Sequence, residues 1–132
     1  SADRRSGSFA LSIMNILLID DDPVIRALVG DILLSLGHNV VAAQNGAEGL
    51  RLLSGELPQI VFLDYQLPDM SGIDVLRKVR DQARTHSLPV VLLSASDDQA
   101  MKDQACQAGA DSYLEKPFKY DEFVRVLSSL SE

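Results

Sequence analysis

The chain has 132 residues, of which 46% are hydrophobic and 23% charged, and its formal net charge is −7. That length fits one domain with a substantial core, and no apolar run approaches the roughly 18 residues of a membrane span. The acidic balance, with no Lys/Arg cluster along any one face, argues against direct nucleic-acid binding, and the single cysteine, Cys106, excludes an internal disulfide and fits a reducing, cytoplasmic setting.

Residues 1–13 read as an extension, native or left by cloning. Ser1-Ala2-Asp3-Arg4-Arg5-Ser6-Gly7-Ser8 is polar and small, and Phe9-Ala10-Leu11 is too short and too weakly flanked for a signal peptide. A regular alternation begins at Met14, so the folded domain is expected over 14–132. Asn15-Ile16-Leu17-Leu18-Ile19 is an apolar strand that runs into Asp20-Asp21-Asp22. Pro23 suits a first helical turn with Asp22 as N-cap. Ile25, Leu28, Val29, Ile32 and Leu36 then mark the inward stripe of a helix stopped by Gly37. Asn39-Val40-Val41-Ala42-Ala43 is a second strand, followed by a helix over 47–53. Ile60-Val61-Phe62-Leu63 is a short apolar run between turn signals, the pattern of a buried parallel strand, and it ends in Asp64. A helix over 72–83 turns Val75, Leu76 and Val79 inward. Residues 88–93 form a fourth strand ending at Ser94. A helix over 97–108 is stopped by Gly109, and Ser112-Tyr113-Leu114-Glu115 is a short strand ending at Lys116-Pro117. Phe123, Val126, Leu127 and Leu130 line the last helix.

Five strands alternating with five helices through short loops predict an α/β fold: a doubly wound, parallel, five-stranded sheet with helices on both faces. In the flavodoxin-like (βα)5 arrangement the strand order is 2-1-3-4-5. Strands one and three then meet at the switch point, and the three-acid loop faces Asp64. Every unusual residue falls at a strand's carboxyl end: Asp20, Asp21 and Asp22, then Asp64, then Ser94, then Lys116. Clustered carboxylates raise one another's pKa unless a cation neutralises them. An all-oxygen donor set of this kind suits Mg²⁺. A cation and Lys116 around one carboxylate make a pocket that stabilises charge on a transferred phosphoryl group, with Asp64 as nucleophile. Taken singly, each residue has a plainer role. Asp22 is an N-cap, Ser94 ends a strand, Lys116 is a surface lysine, and Asp69 and Asp74 are turn and surface residues. His38 and His86 read as surface side chains, and Cys106 as a small buried residue of an Ala-rich helix.

Four segments in order carry a family resemblance: Ile16-Leu17-Leu18-Ile19-Asp20-Asp21-Asp22-Pro23, then Leu63-Asp64 with Leu67-Pro68-Asp69-Met70-Ser71-Gly72, then Leu92-Leu93-Ser94-Ala95, then Ala108-Gly109-Ala110-Asp111-Ser112-Tyr113-Leu114-Glu115-Lys116-Pro117-Phe118. Over about residues 14–131 the chain resembles the receiver domains of bacterial two-component response regulators. The resemblance implies a phosphorylation-controlled signalling switch rather than an enzyme, one that assists its own phosphorylation and dephosphorylation. It implies Asp64 as phosphoacceptor, and Mg²⁺ held by Asp21, Asp64 and the backbone carbonyl of Gln66, with Asp20 acting through water. It also implies Ser94 and Lys116 on the phosphoryl oxygens, Ser94 and Tyr113 as the switch pair, and a cis Lys116-Pro117 bond. Ser94 is serine where the family more often has threonine, and Gln66 and Ser96 take the variable positions that flank the phosphoryl group. The implied partners are a histidine kinase or histidine phosphotransfer protein and an unidentified downstream effector. The face of helix four, strand five and helix five is the implied output and homodimer surface, and no membrane partner is implied. Two other readings compete. Asp20-Asp21-Asp22-Pro23-Val24 also matches the Asp-x-Asp-x-Val motif of haloacid-dehalogenase-like phosphatases, with Asp20 as nucleophile and Asp22 as acid/base, which leaves Asp64 without a purpose. A receiver-like module that binds partners without phosphate is the other.

Overall fold

The structure, a computed structural model, describes residues 13–96 and 98–130. All of the extension but Ile13, and Asp97, lie outside the described residues. In chain order the elements are β1 (Asn15–Ile19), α1 (Pro23–Ser35), β2 (Asn39–Ala43), α2 (Gly46–Leu53), β3 (Ile60–Asp64), α3 (Gly72–Arg80), β4 (Val90–Ser94), α4 (Gln99–Ala108), β5 (Ser112–Glu115) and α5 (Tyr120–Leu130). The strands form one parallel sheet in the order 2-1-3-4-5, as expected. Successive side chains of a strand point to opposite faces, and this splits the core in two. Leu17, Ile19, Val61, Leu63, Val90 and Leu92 pack under α2, α3 and α4. Ile16, Leu18, Ile60, Phe62, Val91 and Leu93 pack under α1 and α5. Both faces of β3 and β4 are covered, so their sequences are continuously apolar.

Caps set the helix boundaries. Asp22, Asn45, Ser71 and Asp98 each accept a backbone N–H of the first turn of α1, α2, α3 and α4. Gly109 closes α4 at φ +101°, a left-handed conformation that favours glycine. Its carbonyl accepts two bonds from the Arg80 guanidinium, which also reaches the Leu88 carbonyl and Asp111. Arg80 thus ties the end of α3 to the end of α4 and the start of β4.

Several local expectations are corrected. The third helix ends at Arg80 with Asp81 as its C-cap, not at Ala83. On α1, Leu28 is 44% exposed while Leu33, outside the expected stripe, is fully buried. His38 is buried, not on the surface, and its Nδ1 accepts the Met14 N–H at 3.1 Å. Cys106 is exposed and the neighbouring Ala105 takes the buried position.

Candidate functional site

The sheet order reverses between β1 and β3, and the carboxyl ends of these strands meet there. Asp20 follows β1; its N–H donates to the Ala43 carbonyl (3.1 Å), which continues the ladder to β2. The residue is fully buried. One carboxylate oxygen accepts from the Asp22 N–H (2.9 Å), while Oδ2 is buried with no hydrogen-bond partner. Asp21 beside it is exposed. Asp64 ends β3 at 5% exposure. Its Oδ1 accepts a long bond from the Gln66 N–H (3.4 Å). Carboxylate oxygens of Asp20, Asp21 and Asp64 all lie within 4.8 Å of one another.

The cation comes from the far strand. The Lys116 N–H donates to the Ser94 carbonyl (2.7 Å), extending the β4–β5 ladder. Its Nζ lies 3.7 Å from Asp64 Oδ1 and 3.9 Å from Asp20 Oδ2. The Lys116-Pro117 bond is cis. One ammonium thus faces a cluster of three carboxylates. Burial, then the neighbouring Asp20 charge, push the Asp64 carboxyl up to about 6 against the pull of Lys116. Burial raises Asp20 as well. An excess of negative charge on hard oxygen donors, with one buried oxygen lacking a hydrogen bond, fits a divalent cation such as Mg²⁺. The site opens into a cleft of about 830 Å³ whose lining includes Asp21, Gln66, Ser94 and Met101. A second, more apolar groove of about 600 Å³ lies at the opposite ends of the strands, beside Asn15, Val41 and Pro58.

Ser94 and Tyr113 converge on the loop after β4. Ser94 Oγ accepts from the Ser96 N–H (3.1 Å), and the Tyr113 hydroxyl donates to the Ser96 carbonyl. Both hydroxyls also approach the Met101 sulfur, and Lys102 Nζ lies 5.7 Å from the centre of the Tyr113 ring.

The candidate side chains Asp20, Asp21, Asp64, Ser94 and Lys116 are therefore gathered around one cleft, and Gln66 joins them through its backbone. Asp22 lines the same cleft but is not one of the three clustered carboxylates. Its side chain caps α1 by accepting from the Val24 N–H at 2.9 Å, which engages the group that the phosphatase reading needs as its acid/base. Three contributors were not legible in the sequence. Arg26 reaches back from α1 to the Asp20 carbonyl (2.8 Å). Asp69, read as a turn residue, accepts from the Gly46 and Ala47 N–H groups at the start of α2, and those two bonds lower its pKa. Met101 carries no signal in the sequence beyond its place in the helix expected over 97–108. A basic residue four positions beyond an N-cap, as Arg26 is, was the one local signal available.

A family model described as the response regulator receiver domain matches residues 16–128. The chain is 45% identical over 109 residues to the transcriptional regulatory protein KdpE of Mycobacterium tuberculosis, across 83% of this chain and 47% of that protein. It spans about half the length of the curated regulators it matches. Among solved structures it superposes on a putative response regulator from Chloroflexus aurantiacus with a TM-score of 0.87 and 32% identity, covering 92% of this chain and 100% of that one. It also matches the receiver domain of a sensor histidine kinase from Pseudomonas aeruginosa, with a TM-score of 0.84 and 30% identity over 91% and 98% of the two chains; that structure has a magnesium ion coordinated in its active site cleft. With the family match spanning most of the chain, the sheet in the order 2-1-3-4-5 and the acidic cleft at its switch point, this chain belongs to the response regulator receiver domains, the signalling switches of two-component systems.

Proposed function

We propose that Asp64 accepts a phosphoryl group from a phosphohistidine donor, a histidine kinase or a histidine phosphotransfer protein. The observation that carries this reading is the Asp64 carboxylate itself, buried at a strand end and open to the cleft, with Lys116 Nζ at 3.7 Å and two further carboxylates beside it. Asp20, Asp21, Asp64 and the backbone carbonyl of Gln66 are the groups that would hold Mg²⁺. When bound, the ion neutralises the carboxylate cluster and stabilises negative charge on the transferred group. At neutral pH an Asp64 carboxyl with a pKa of about 6 is mostly ionised and nucleophilic. One of its oxygens forms the new P–O bond. The P–N bond of the donor breaks and its electron pair stays on the imidazole nitrogen. Lys116 offers three N–H donors and Ser94 one O–H to the phosphoryl oxygens.

Docking of the donor is supported by exposed apolar side chains on α1, whose first residue, Pro23, lines the cleft. Val24, 71% exposed, and Leu28 lie on α1 just past Asp22 and Pro23. On the output side, a Ser94 hydroxyl drawn to the phosphoryl group loosens the loop that anchors Tyr113, and the change passes to the face of α4, β5 and α5. That face is the proposed surface for an effector or a second copy of the chain. The setting proposed is cytoplasmic; no described helix is long and apolar enough to cross a membrane. The test is intact mass with site mapping after acetyl phosphate treatment. Wild type gains one phosphoryl group on Asp64 with Mg²⁺ and none with EDTA, and Asp64→Asn gains none. Label on Asp20, or label that survives EDTA, contradicts the reading.

A further inference from the structure

Ser94, Ser96, Tyr113 and Met101 close a ring of polar contacts on the wall of the cleft. Ser94 Oγ accepts from the Ser96 N–H (3.1 Å), and the Ser96 carbonyl accepts from the Tyr113 hydroxyl. The Tyr113 oxygen lies 3.5 Å from the Met101 sulfur, and that sulfur lies 3.1 Å from Ser94 Oγ. Met101 is half-buried in the first turn of α4 and lines the same cleft as Asp64 and Lys116. One sulfur therefore touches both hydroxyls that the signalling reading uses.

The hydroxyl of Ser94 has a single proton to donate. Its oxygen already accepts from Ser96, and the Met101 sulfur is the acceptor in reach of the proton. A thioether is a weak acceptor. The geometry points to Met101 as a positioning residue, a deliberately weak acceptor that holds the Ser94 proton until a phosphoryl oxygen takes it. This rests on the reading of Asp64 as phosphoacceptor. A bond to an anionic oxygen is roughly twice as strong as one between neutral groups, so the exchange from sulfur to phosphoryl oxygen runs downhill. An amide oxygen at the sulfur's place would compete harder for the same proton, while a hydrocarbon would not compete at all. Once Ser94 has left, the sulfur remains within reach of Tyr113, so the same atom links the two switch side chains.

The test uses the full chain with acetyl phosphate and Mg²⁺. Met101→Gln keeps the side chain's length and adds a stronger acceptor; Met101→Leu keeps its bulk and removes the acceptor. Each is made with and without Ser94→Ala. The readouts are the rate of Asp64 phosphorylation and the affinity for beryllofluoride, a phosphoryl mimic, followed through the Tyr113 ring resonances. Met101→Gln is expected to be about fivefold slower and weaker than wild type, the factor one ordinary neutral hydrogen bond contributes, and Met101→Leu at least as fast as wild type. In the Ser94→Ala background the three side chains at 101 should converge. Equal behaviour of the Gln variant and wild type overturns the proposal, as does a difference that persists without the Ser94 hydroxyl, which would mean packing alone. If Met101→Gln does not fold, the Leu variant decides: slower phosphorylation than wild type overturns the proposal. A wild type that takes no label on Asp64 overturns the phosphoacceptor reading and this inference with it, whereas a labelled wild type with indifferent Met101 variants overturns only this one.

Discussion

Asp64 holds its charge at neutral pH against burial and against Asp20. Its pKa of about 6 lies above the ordinary carboxylate value of about 3.9. Protonation therefore stabilises the metal-free fold: the contribution is complete below about pH 4 and is lost as pH rises through about 6. Asp64→Asn removes the charge and nearly preserves the shape. Without divalent cation at pH 7.5, the variant should be more stable than wild type by something on the order of 2 kcal/mol, and the gap should close toward pH 4.5. Urea unfolding at the two pH values checks this, and a gap that does not change with pH would show that charge is not its cause. His38 acts in the opposite direction. Burial lowers its pKa, so it contributes stability above about pH 6.5 that is lost as pH falls. Comparing two proteins that share His38 at each pH cancels that term.

Among the elements, the loop from β3 to α3 fixes where the Asp64 backbone sits. The Gly72 N–H donates to the Tyr65 carbonyl at 2.7 Å, and Gln66 pairs with Ser71 across the loop. A Cβ at Gly72 would meet the Asp64 carbonyl oxygen and the Tyr65 Cα, both backbone atoms that cannot swing aside. Asp69 secures the outer half of the loop on the α2 N-terminus, where a carboxylate also suits the helix dipole. Gly72→Ala should therefore cost about 1–3 kcal/mol by overpacking and slow phosphorylation, because relief of the clash moves Asp64 itself. Denaturant unfolding and acetyl phosphate labelling measure the two effects. An alanine variant as stable and as quickly labelled as wild type would mean that the loop has slack the structure does not show.

For the whole molecule, cation binding at the proposed site would be coupled to folding, because the three carboxylates lie at the ends of two strands that only the folded sheet brings together. A ligand of the native state alone stabilises it by RT ln(1 + [L]/Kd), roughly 1–2 kcal/mol at about ten times Kd. Wild type should accordingly melt about 3–6 °C higher in saturating Mg²⁺, and Asp21→Ala should lose most of that gain. Thermal melts of both proteins with Mg²⁺ and with EDTA test it; an unchanged Tm for wild type at tens of millimolar Mg²⁺ contradicts the site. The strands also offer a route from the cleft to the proposed output face. Ser94 is opposite Glu115 in the β4–β5 register, one residue before Lys116, so the proposed phosphoryl contacts and the proposed output face share one strand pair.

The sequence by itself determined the strands, the helices, their order and most of the cleft. Those signals are local: apolar runs covered on both faces, helical periodicity, and caps within a few residues of what they cap. Asp20, Asp64, Ser94 and Lys116 were legible because each ends or directly follows a strand, and a parallel sheet brings all such ends to one side. Tertiary structure alone decided which face each helix buries and which distant groups pair. Leu28 and Leu33 are both apolar, and the packing angle of α1 on the sheet exposes the first and buries the second. A one-residue step turns a helix by about 100°, enough to bury Ala105 and expose Cys106. His38 is buried through a bond to Met14, 24 residues away, and Asp69 caps a helix that starts 23 residues earlier. Met101 became a candidate only when β4, β5 and α4 brought Ser94 and Tyr113 to one sulfur. Pairings of that range depend on how the elements close on one another, and no periodicity along the chain records them.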